Sequence, residues 1–142
     1  MKTTLSEAGV EALGRRLGRS LPRGAVVWLE GPLGAGKTRL VRAVVSARCA
    51  GPAVTSPTFN LVHRYPGPSG PVFHVDCYRL RHPSEAAELN WDEMLAADLL
   101  LIEWPDRGGA WVPPPGLRVV MDHAPDPDQR TVELVPPLAE TS

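Results

Sequence analysis

The chain has 142 residues, of which 43% are hydrophobic and 22% are charged, and its formal net charge is −1. These values are ordinary for one globular domain and argue against a protein that binds nucleic acid strongly through its own charge. The charge is unevenly distributed, because residues 1–64 carry 10 basic and 3 acidic side chains, whereas residues 65–142 carry 5 basic and 13 acidic ones. This asymmetry could orient the protein on a charged partner, or it could reflect two differently solvated faces.

The first predicted element is a helix that follows Ser6, a favourable N-cap residue. Three apolar side chains recur at helical spacing and predict its buried face: Val10, Leu13 and Leu17. Glycine and proline in residues 18–22 end this helix. Residues 25–29 then form a short apolar run rich in β-formers, which predicts a strand.

Residues 31–38 read Gly-Pro-Leu-Gly-Ala-Gly-Lys-Thr and match the phosphate-binding loop (P-loop) motif G-x-x-x-x-G-K-[ST]. The motif stands between the predicted strand and a predicted helix that ends near Arg48, as its function requires. Glycines at positions 31, 34 and 36 permit backbone angles and a close approach to phosphate that a Cβ would block. The following helix points its positive end at the same anion. The motif therefore predicts a nucleoside triphosphate site.

Two side chains of the motif carry specific chemistry. Lys37 supplies a mobile positive charge for the β- and γ-phosphates, and the Thr38 hydroxyl is an oxygen ligand suited to Mg²⁺. Lys2 and Lys37 are the only lysines beside 13 arginines, which gives modest support to a special role for Lys37. The predicted nucleotide-binding residues of the loop are Gly34, Ala35, Gly36, Lys37 and Thr38.

The rest of the chain predicts strands and connections after the P-loop helix. A β-hairpin is predicted from two strands joined by a proline- and glycine-rich turn. Its strands are residues 59–65 and 72–78, and the later predicted elements are a helical segment over 83–95, a buried strand over 99–102, a proline-rich connection over 111–116 and closing strands over 117–122 and 131–135. Asn90 is predicted to interrupt the helical segment as a left-handed cap. These elements predict an α/β fold, a P-loop NTPase-like sheet flanked by helices, in a single domain over residues 1–142 with a frayed tail from about 137.

Acidic residues end two of the predicted strands. A triphosphate site needs an acid near the loop to hold Mg²⁺ or its water, and Glu103 and Asp76 both qualify. Glu103 is favoured as the metal-side acid and Asp76 as a second acid that positions water or metal, although the sequence also allows the two roles to be exchanged. Thr58, in the stiff segment Ser56-Pro57-Thr58, is a candidate γ-phosphate sensor, with an ordinary turn as the alternative.

The cellular setting is also constrained by the sequence. The first six residues lack the apolar core of a signal peptide, and no apolar run approaches membrane-spanning length. Cys49 and Cys77 are too few for a disulfide framework or a zinc site, and they are interpreted as buried thiols. The four histidines show no shared metal-ligand spacing and are interpreted as structural or exposed. We expect a cytoplasmic protein that does not contact a membrane.

Four blocks taken together resemble the bacterial TsaE (YjeE) family of small P-loop ATPases, which act in tRNA threonylcarbamoyladenosine (t6A) biosynthesis. The blocks are residues 31–38, 56–62, 74–80 and 102–105, and the resemblance covers nearly the whole chain in family order. The chain departs from the family pattern at Pro32, where an acidic residue is frequent, and at Asn90, where glycine is expected.

The resemblance implies a cytoplasmic ATPase that works with the TsaD–TsaB threonylcarbamoyl-transferase complex on adenosine 37 of tRNAs that read ANN codons. It implies that Lys37 and Thr38 bind ATP and Mg²⁺, and that Glu103 contacts the metal. It places Asp76 and Thr58 on the phosphate side of the site. The remaining implied positions are Trp104 beside the acid, Ser6 and Glu7 near the adenine, and Arg130 at the nucleotide. Direct contact with tRNA is left open.

Three other functions compete with this interpretation. A small-molecule kinase uses the same loop, but it needs an acceptor pocket and an arginine-bearing lid, and no such lid is evident between the predicted strands. A regulatory GTPase would carry the N-K-x-D guanine motif, which lysines at positions 2 and 37 do not form. A nucleotide-dependent scaffold with incidental hydrolysis overlaps the ATPase interpretation, because no arginine finger is evident and hydrolysis by the chain alone should be slow.

Overall fold

The computed structural model describes residues 2–49, 54–55 and 61–136. Their eight strands form one sheet in the order β1-β8-β7-β2-β6-β5-β4-β3. The strands are β1 (Lys2–Ser6), β2 (Ala25–Glu30), β3 (Val54–Thr55), β4 (Val62–Tyr65), β5 (Val72–Asp76), β6 (Leu99–Glu103), β7 (Leu117–His123) and β8 (Gln129–Val135). The predicted α/β fold with a hairpin after the P-loop helix is confirmed, since β4 and β5 pair antiparallel.

Helices cover both faces of this sheet. The α-helices are α1 (Glu7–Ser20), α2 (Lys37–Arg48) and α3 (Trp91–Leu95), and 3-10 helices span Cys77–Arg79, Pro83–Glu88 and Pro105–Trp111. The predicted cap of α1 is confirmed, because the Ser6 hydroxyl accepts a hydrogen bond from the Gly9 N–H at 3.1 Å. In the described ranges no helix is both long and apolar enough to span a membrane.

The side chains of the central strands divide between two apolar clusters. Alternate residues of a strand point to opposite faces, so β6, which is buried along its whole length, contributes to both. Leu99 and Leu101 pack in the cluster under α1 and α2, whereas Leu100 and Ile102 pack with the 3-10 segments on the other face. On β5, Val72 belongs to the α2 side. His74 and Asp76 follow it at two-residue steps and therefore share that face.

The parallel centre of the sheet positions the functional site. Strand β6 pairs parallel with both β2 and β5, and β2 also pairs parallel with β7. The carboxyl ends of these strands therefore meet at one edge. There, Asp76 lies opposite Glu103 in the register of β5 and β6, and Leu29, just before the P-loop, lies opposite Glu103 in the register of β2 and β6.

Two local predictions are wrong for identifiable reasons. The strand predicted over 72–78 ends at Asp76, because the Asp76 carboxylate accepts a hydrogen bond from the Tyr78 N–H at 3.0 Å and caps a 3-10 turn. The predicted interruption at Asn90 is confirmed, since the 3-10 helix Pro83–Glu88 ends before it and α3 begins after it. The left-handed geometry predicted for Asn90 is wrong: its φ is −84°, and its side chain accepts from the Glu93 N–H at 3.2 Å. It therefore begins α3 instead of ending a helix.

Candidate nucleotide site

The backbone of the P-loop has the shape that its glycines were expected to allow. Gly34 and Gly36 have φ values of 78° and 98°, in the left-handed region that disfavours a Cβ. Gly36 is the N-cap residue of α2 and makes no side-chain hydrogen bond to the helix. The first N–H groups of α2, which have no partner within the helix, are therefore available to a ligand in the loop. Because these groups carry the positive end of the helix dipole, the loop can cradle an anion.

Gly31 has the positive φ that its place in the motif predicts, at 146°, and a second constraint acts on it as well. A Cβ at this position would lie 2.1 Å from the carbonyl oxygen of Met121 on β7. The glycine is therefore also required because the start of the loop packs directly against a neighbouring strand. This contact is tertiary, and the motif alone does not reveal it.

Lys37 is the buried cation of the site. Its side chain is only 5% exposed, and its ammonium donates to the Gly31 carbonyl. The Nζ atom also lies 4.0 Å from the centroid of the Trp104 ring, which is a cation–π contact. Burial lowers the pKa of Lys37, and the carboxylates of Glu103 and Asp76 oppose that shift. An ammonium so poorly hydrated gains more from an incoming phosphate than an exposed one does.

Trp104 has an unusual backbone that brings its ring to the lysine. It is the one non-glycine residue with a positive φ among the described residues, at φ 54° and ψ 51°. This turn directly follows Glu103 and separates β6 from the 3-10 helix Pro105–Trp111. The Tyr78 ring lies 5.0 Å from the Trp104 ring, and the Arg107 guanidinium covers both rings at 4.6 and 5.4 Å. The Trp104 ring therefore covers one side of the lysine, and Tyr78 and Arg107 pack against that ring.

The two predicted acids lie side by side at the strand ends. Glu103 is 4% exposed, whereas Asp76 is partly buried. Together with the exposed Thr38 at the start of α2, they line one cleft of about 610 Å³, a volume within the usual range for a small-molecule site. The predicted site residues that line this cleft are Gly34, Gly36, Lys37, Thr38, Asp76, Glu103 and Arg130.

Other predicted residues lie elsewhere. Ala35 is fully buried in the cluster under α1 and α2, so only its backbone can serve a ligand. Ser6 caps α1 and is not among the lining residues, whereas its neighbour Glu7 is. Thr58 lies outside the described residues, and its predicted role stays a prediction.

Arg130 contacts the P-loop backbone. Its Nε donates to the Gly34 carbonyl at 3.1 Å, and its Nη1 donates to the carbonyls of Pro127 and Gln129 at 2.8 Å each. His123 adds a second link, since its Nε2 lies 3.2 Å from the Leu33 carbonyl. The ends of β7 and β8 therefore hold the outer half of the loop.

His74 is the site residue that the sequence interpretation missed. It is 7% exposed, and its Nε2 lies 2.6 Å from Oε2 of Glu103. Its ring stacks on that of His63, with centroids 5.8 Å apart, and burial lowers the pKa of His63, followed by the effect of the neighbouring His74. A signal was present in the sequence, because a residue two positions before Asp76 on a strand must share its face.

The donor set determines which ions the cleft could hold. Among the described residues no group of three or more histidine, cysteine, aspartate or glutamate side chains is arranged to hold a metal. Two carboxylates and one hydroxyl beside an anion cradle are instead suited to Mg²⁺, which usually takes one or two carboxylates together with phosphate oxygens. Thr38, Glu103 and Asp76 could hold the ion, and the P-loop with Lys37 could hold the phosphates.

Comparison with known proteins identifies the family of this chain. Residues 4–132 match the family model described as "Threonylcarbamoyl adenosine biosynthesis protein TsaE". The chain is 35% identical to the tRNA threonylcarbamoyladenosine biosynthesis protein TsaE of Rickettsia conorii, in a match that covers 95% of this chain and 77% of that protein. It is also 35% identical to the protein of the same name from Nostoc, in a match that covers 87% of this chain and 78% of that protein. The fold is similar to that of Bacillus subtilis YdiB, with a TM-score of 0.76 and 24% identity over 96% of this chain and 84% of that one. The chain therefore belongs to the TsaE family.

Proposed function

We propose that this protein binds ATP with Mg²⁺ in the cleft between the P-loop, β5 and β6 and hydrolyses it slowly, in the service of t6A synthesis at adenosine 37 of tRNA. We further propose that it does so with the TsaD–TsaB complex. One observation carries the ATP part of the proposal: the parallel strands bring Asp76 and Glu103 to the same edge as Lys37 and Thr38. The names of its TsaE relatives support the pathway.

Each residue has a role that follows from its position. The N–H groups of the loop and of α2 bind phosphate oxygens, and Lys37 exchanges the Gly31 carbonyl for the β- and γ-phosphates. Glu103 and Asp76 orient the metal or the attacking water, and Thr38 supplies a metal ligand. Bound Mg²⁺ would neutralise charge that develops on the phosphates.

Slow hydrolysis is supported by the contacts of Arg39 and Arg130, which line the cleft together with Arg15 and Arg42. Arg39, beside Thr38, pairs with Glu7 and Glu11 at 3.6 Å each. Arg130 donates to three backbone carbonyls. Because both guanidiniums are engaged, neither is positioned to stabilise transition-state charge as an arginine finger does, and such a group raises turnover by about 10³-fold or more. A partner protein that supplies it would stimulate the reaction.

The test is an ATPase assay of the purified chain alone, with TsaD–TsaB, and with TsaD–TsaB plus tRNA. We expect a low basal rate that rises with the partner complex and is abolished by Lys37→Ala. Equal rates with and without the partner would contradict the partnership. The product identifies the reaction class, because an ATPase releases inorganic phosphate, whereas a small-molecule kinase, the alternative function, transfers it to an acceptor.

A further inference from the structure

His74 lies next to the proposed metal site, in contact with Glu103. It lies on β5 two residues before Asp76, and both residues share the sheet face that α2 covers. Across the β5–β6 pair, Asp76 is in register with Glu103. His74 therefore reaches Glu103 from below, on the side away from the strand ends where the P-loop lies.

We propose that His74 is a positioning residue that holds Oε2 of Glu103 and so orients this carboxylate toward the Mg²⁺ of the bound nucleotide. The proposal rests on the proposed function, because it concerns a metal-dependent step of that site. The contact joins two side chains that are 9% and 5% exposed, at 2.6 Å. A hydrogen bond between side chains buried to this degree fixes the direction of both groups.

The ring of His74 is itself held in place. It stacks on His63 with an interplanar angle of 24°, and the two residues are register partners on β4 and β5. A ring that is stacked on a neighbour and belongs to a residue only 7% exposed has little room to turn away from its acceptor. The geometry therefore assigns to His74 the task that outer-shell partners perform at metal sites, which is to set the orientation of a first ligand.

A purely structural role makes a different prediction. If the pair only satisfied two buried polar groups, its loss would lower the free energy of unfolding and leave the metal requirement of nucleotide binding unchanged. If His74 positions Glu103, its loss must weaken the contribution of Mg²⁺ to binding. Nucleotide affinity without the metal then stays the same, because the P-loop is intact.

The experiment is calorimetric titration of the full chain with the non-hydrolysable ATP analogue AMP-PNP, in EDTA and over a series of Mg²⁺ concentrations. We expect His74→Phe to reduce the Mg²⁺-dependent gain in affinity by about tenfold or more, as for other outer-shell partners. Affinity in EDTA should not change. His74→Gln keeps an N–H donor and should recover most of the gain.

Two controls separate positioning from stability. Phe73→Leu alters the same strand on its opposite face, within the other apolar cluster, and should lower stability without shifting the Mg²⁺ dependence. Adding His74→Phe to Glu103→Gln should weaken metal-dependent binding no further, because the histidine acts through that carboxylate. Thermal unfolding of every variant confirms that it is folded.

The outcomes are distinguishable. If the wild-type chain shows no Mg²⁺-dependent binding of AMP-PNP, the proposed function fails and this inference fails with it. If the wild type binds with Mg²⁺ but His74→Phe has the same Mg²⁺ dependence, only the inference about His74 is overturned. An undiminished effect of His74→Phe in the Glu103→Gln background would also overturn it.

Discussion

The ion pair of Arg48 and Asp98 anchors the carboxyl end of α2, the helix that begins at the P-loop. Asp98 is fully buried, and its two oxygens accept hydrogen bonds from Nε and Nη2 of Arg48 at 2.8 and 2.7 Å. The guanidinium also donates to the carbonyls of Gly18 and Leu21 at 2.9 and 2.6 Å, which connects α2 to the end of α1. We expect Asp98→Ala to destabilise the protein strongly because it leaves this cation unpaired.

The magnitude follows from burial. Removing one partner of a buried pair costs about 3–5 kcal/mol, and Asp98→Ala should fall near the low end, at about 3 kcal/mol, because Arg48 keeps its two carbonyl acceptors and is 12% exposed. The Glu30–Arg118 pair is a matched control, since it is also bidentate but has side chains 29% and 41% exposed. Glu30→Ala should cost less than about 1 kcal/mol.

Urea unfolding followed by circular dichroism measures both variants on the same scale. The double variant Asp98→Ala with Arg48→Met should lose less stability than the sum of its single variants, because no buried charge is left without its partner. Equal losses for Asp98→Ala and Glu30→Ala would refute the argument that burial makes the difference.

Three further predictions concern the loop and a buried thiol. In urea unfolding, Gly31→Ala should destabilise the protein more than Gly24→Ala does. A Cβ at position 31 would lie 2.1 Å from a β7 carbonyl oxygen, whereas a Cβ at position 24 would have nothing within 4 Å. Equal losses of stability would contradict this prediction. Burial raises the pKa of Cys77 to about 12, so above pH 9 the unfolded thiol loses its proton while the folded thiol keeps it. The free energy of unfolding should therefore fall as the pH rises, and it should fall more steeply in the wild type than in Cys77→Ala. The difference between the two slopes should be at most about 1.4 kcal/mol per pH unit. Identical slopes would contradict this explanation. Arg130→Ala removes the bond to the Gly34 carbonyl and should weaken Mg-ATP binding by about tenfold in calorimetry, and unchanged affinity would exclude a role in holding the loop.

The parts of the site that local sequence patterns determine could be predicted. The P-loop, its strand and its helix are contiguous, so the motif and the apolar periodicity on either side were sufficient. Asp76 and Glu103 were predicted because each ends an apolar run, and the parallel pairing of β5 with β6 brings them together. The bounds of α2 were also close, because Gly36 and the residues after Arg48 mark its ends.

The contacts that depend on which strands are neighbours could not be predicted from local sequence patterns. The contact between Gly31 and Met121 exists only because β7 lies beside β2, and the bond between His74 and Glu103 only because β5 lies beside β6. Strand β1 was missed for another reason: its residues are mostly exposed and polar, and it forms because it pairs with β8 at the sheet edge. The positive φ of Trp104 has no signal in the residue type.

Every role proposed for the cleft depends on the binding of Mg-ATP at the P-loop through Lys37, and calorimetric titration with Mg-ATP measures that binding. Lys2, the other lysine of the chain, lies exposed on β1 and provides a matched control. We predict that the wild type and Lys2→Ala bind Mg-ATP equally and that Lys37→Ala loses binding while remaining folded. Unchanged binding of Mg-ATP by Lys37→Ala would show that the nucleotide does not bind through this lysine.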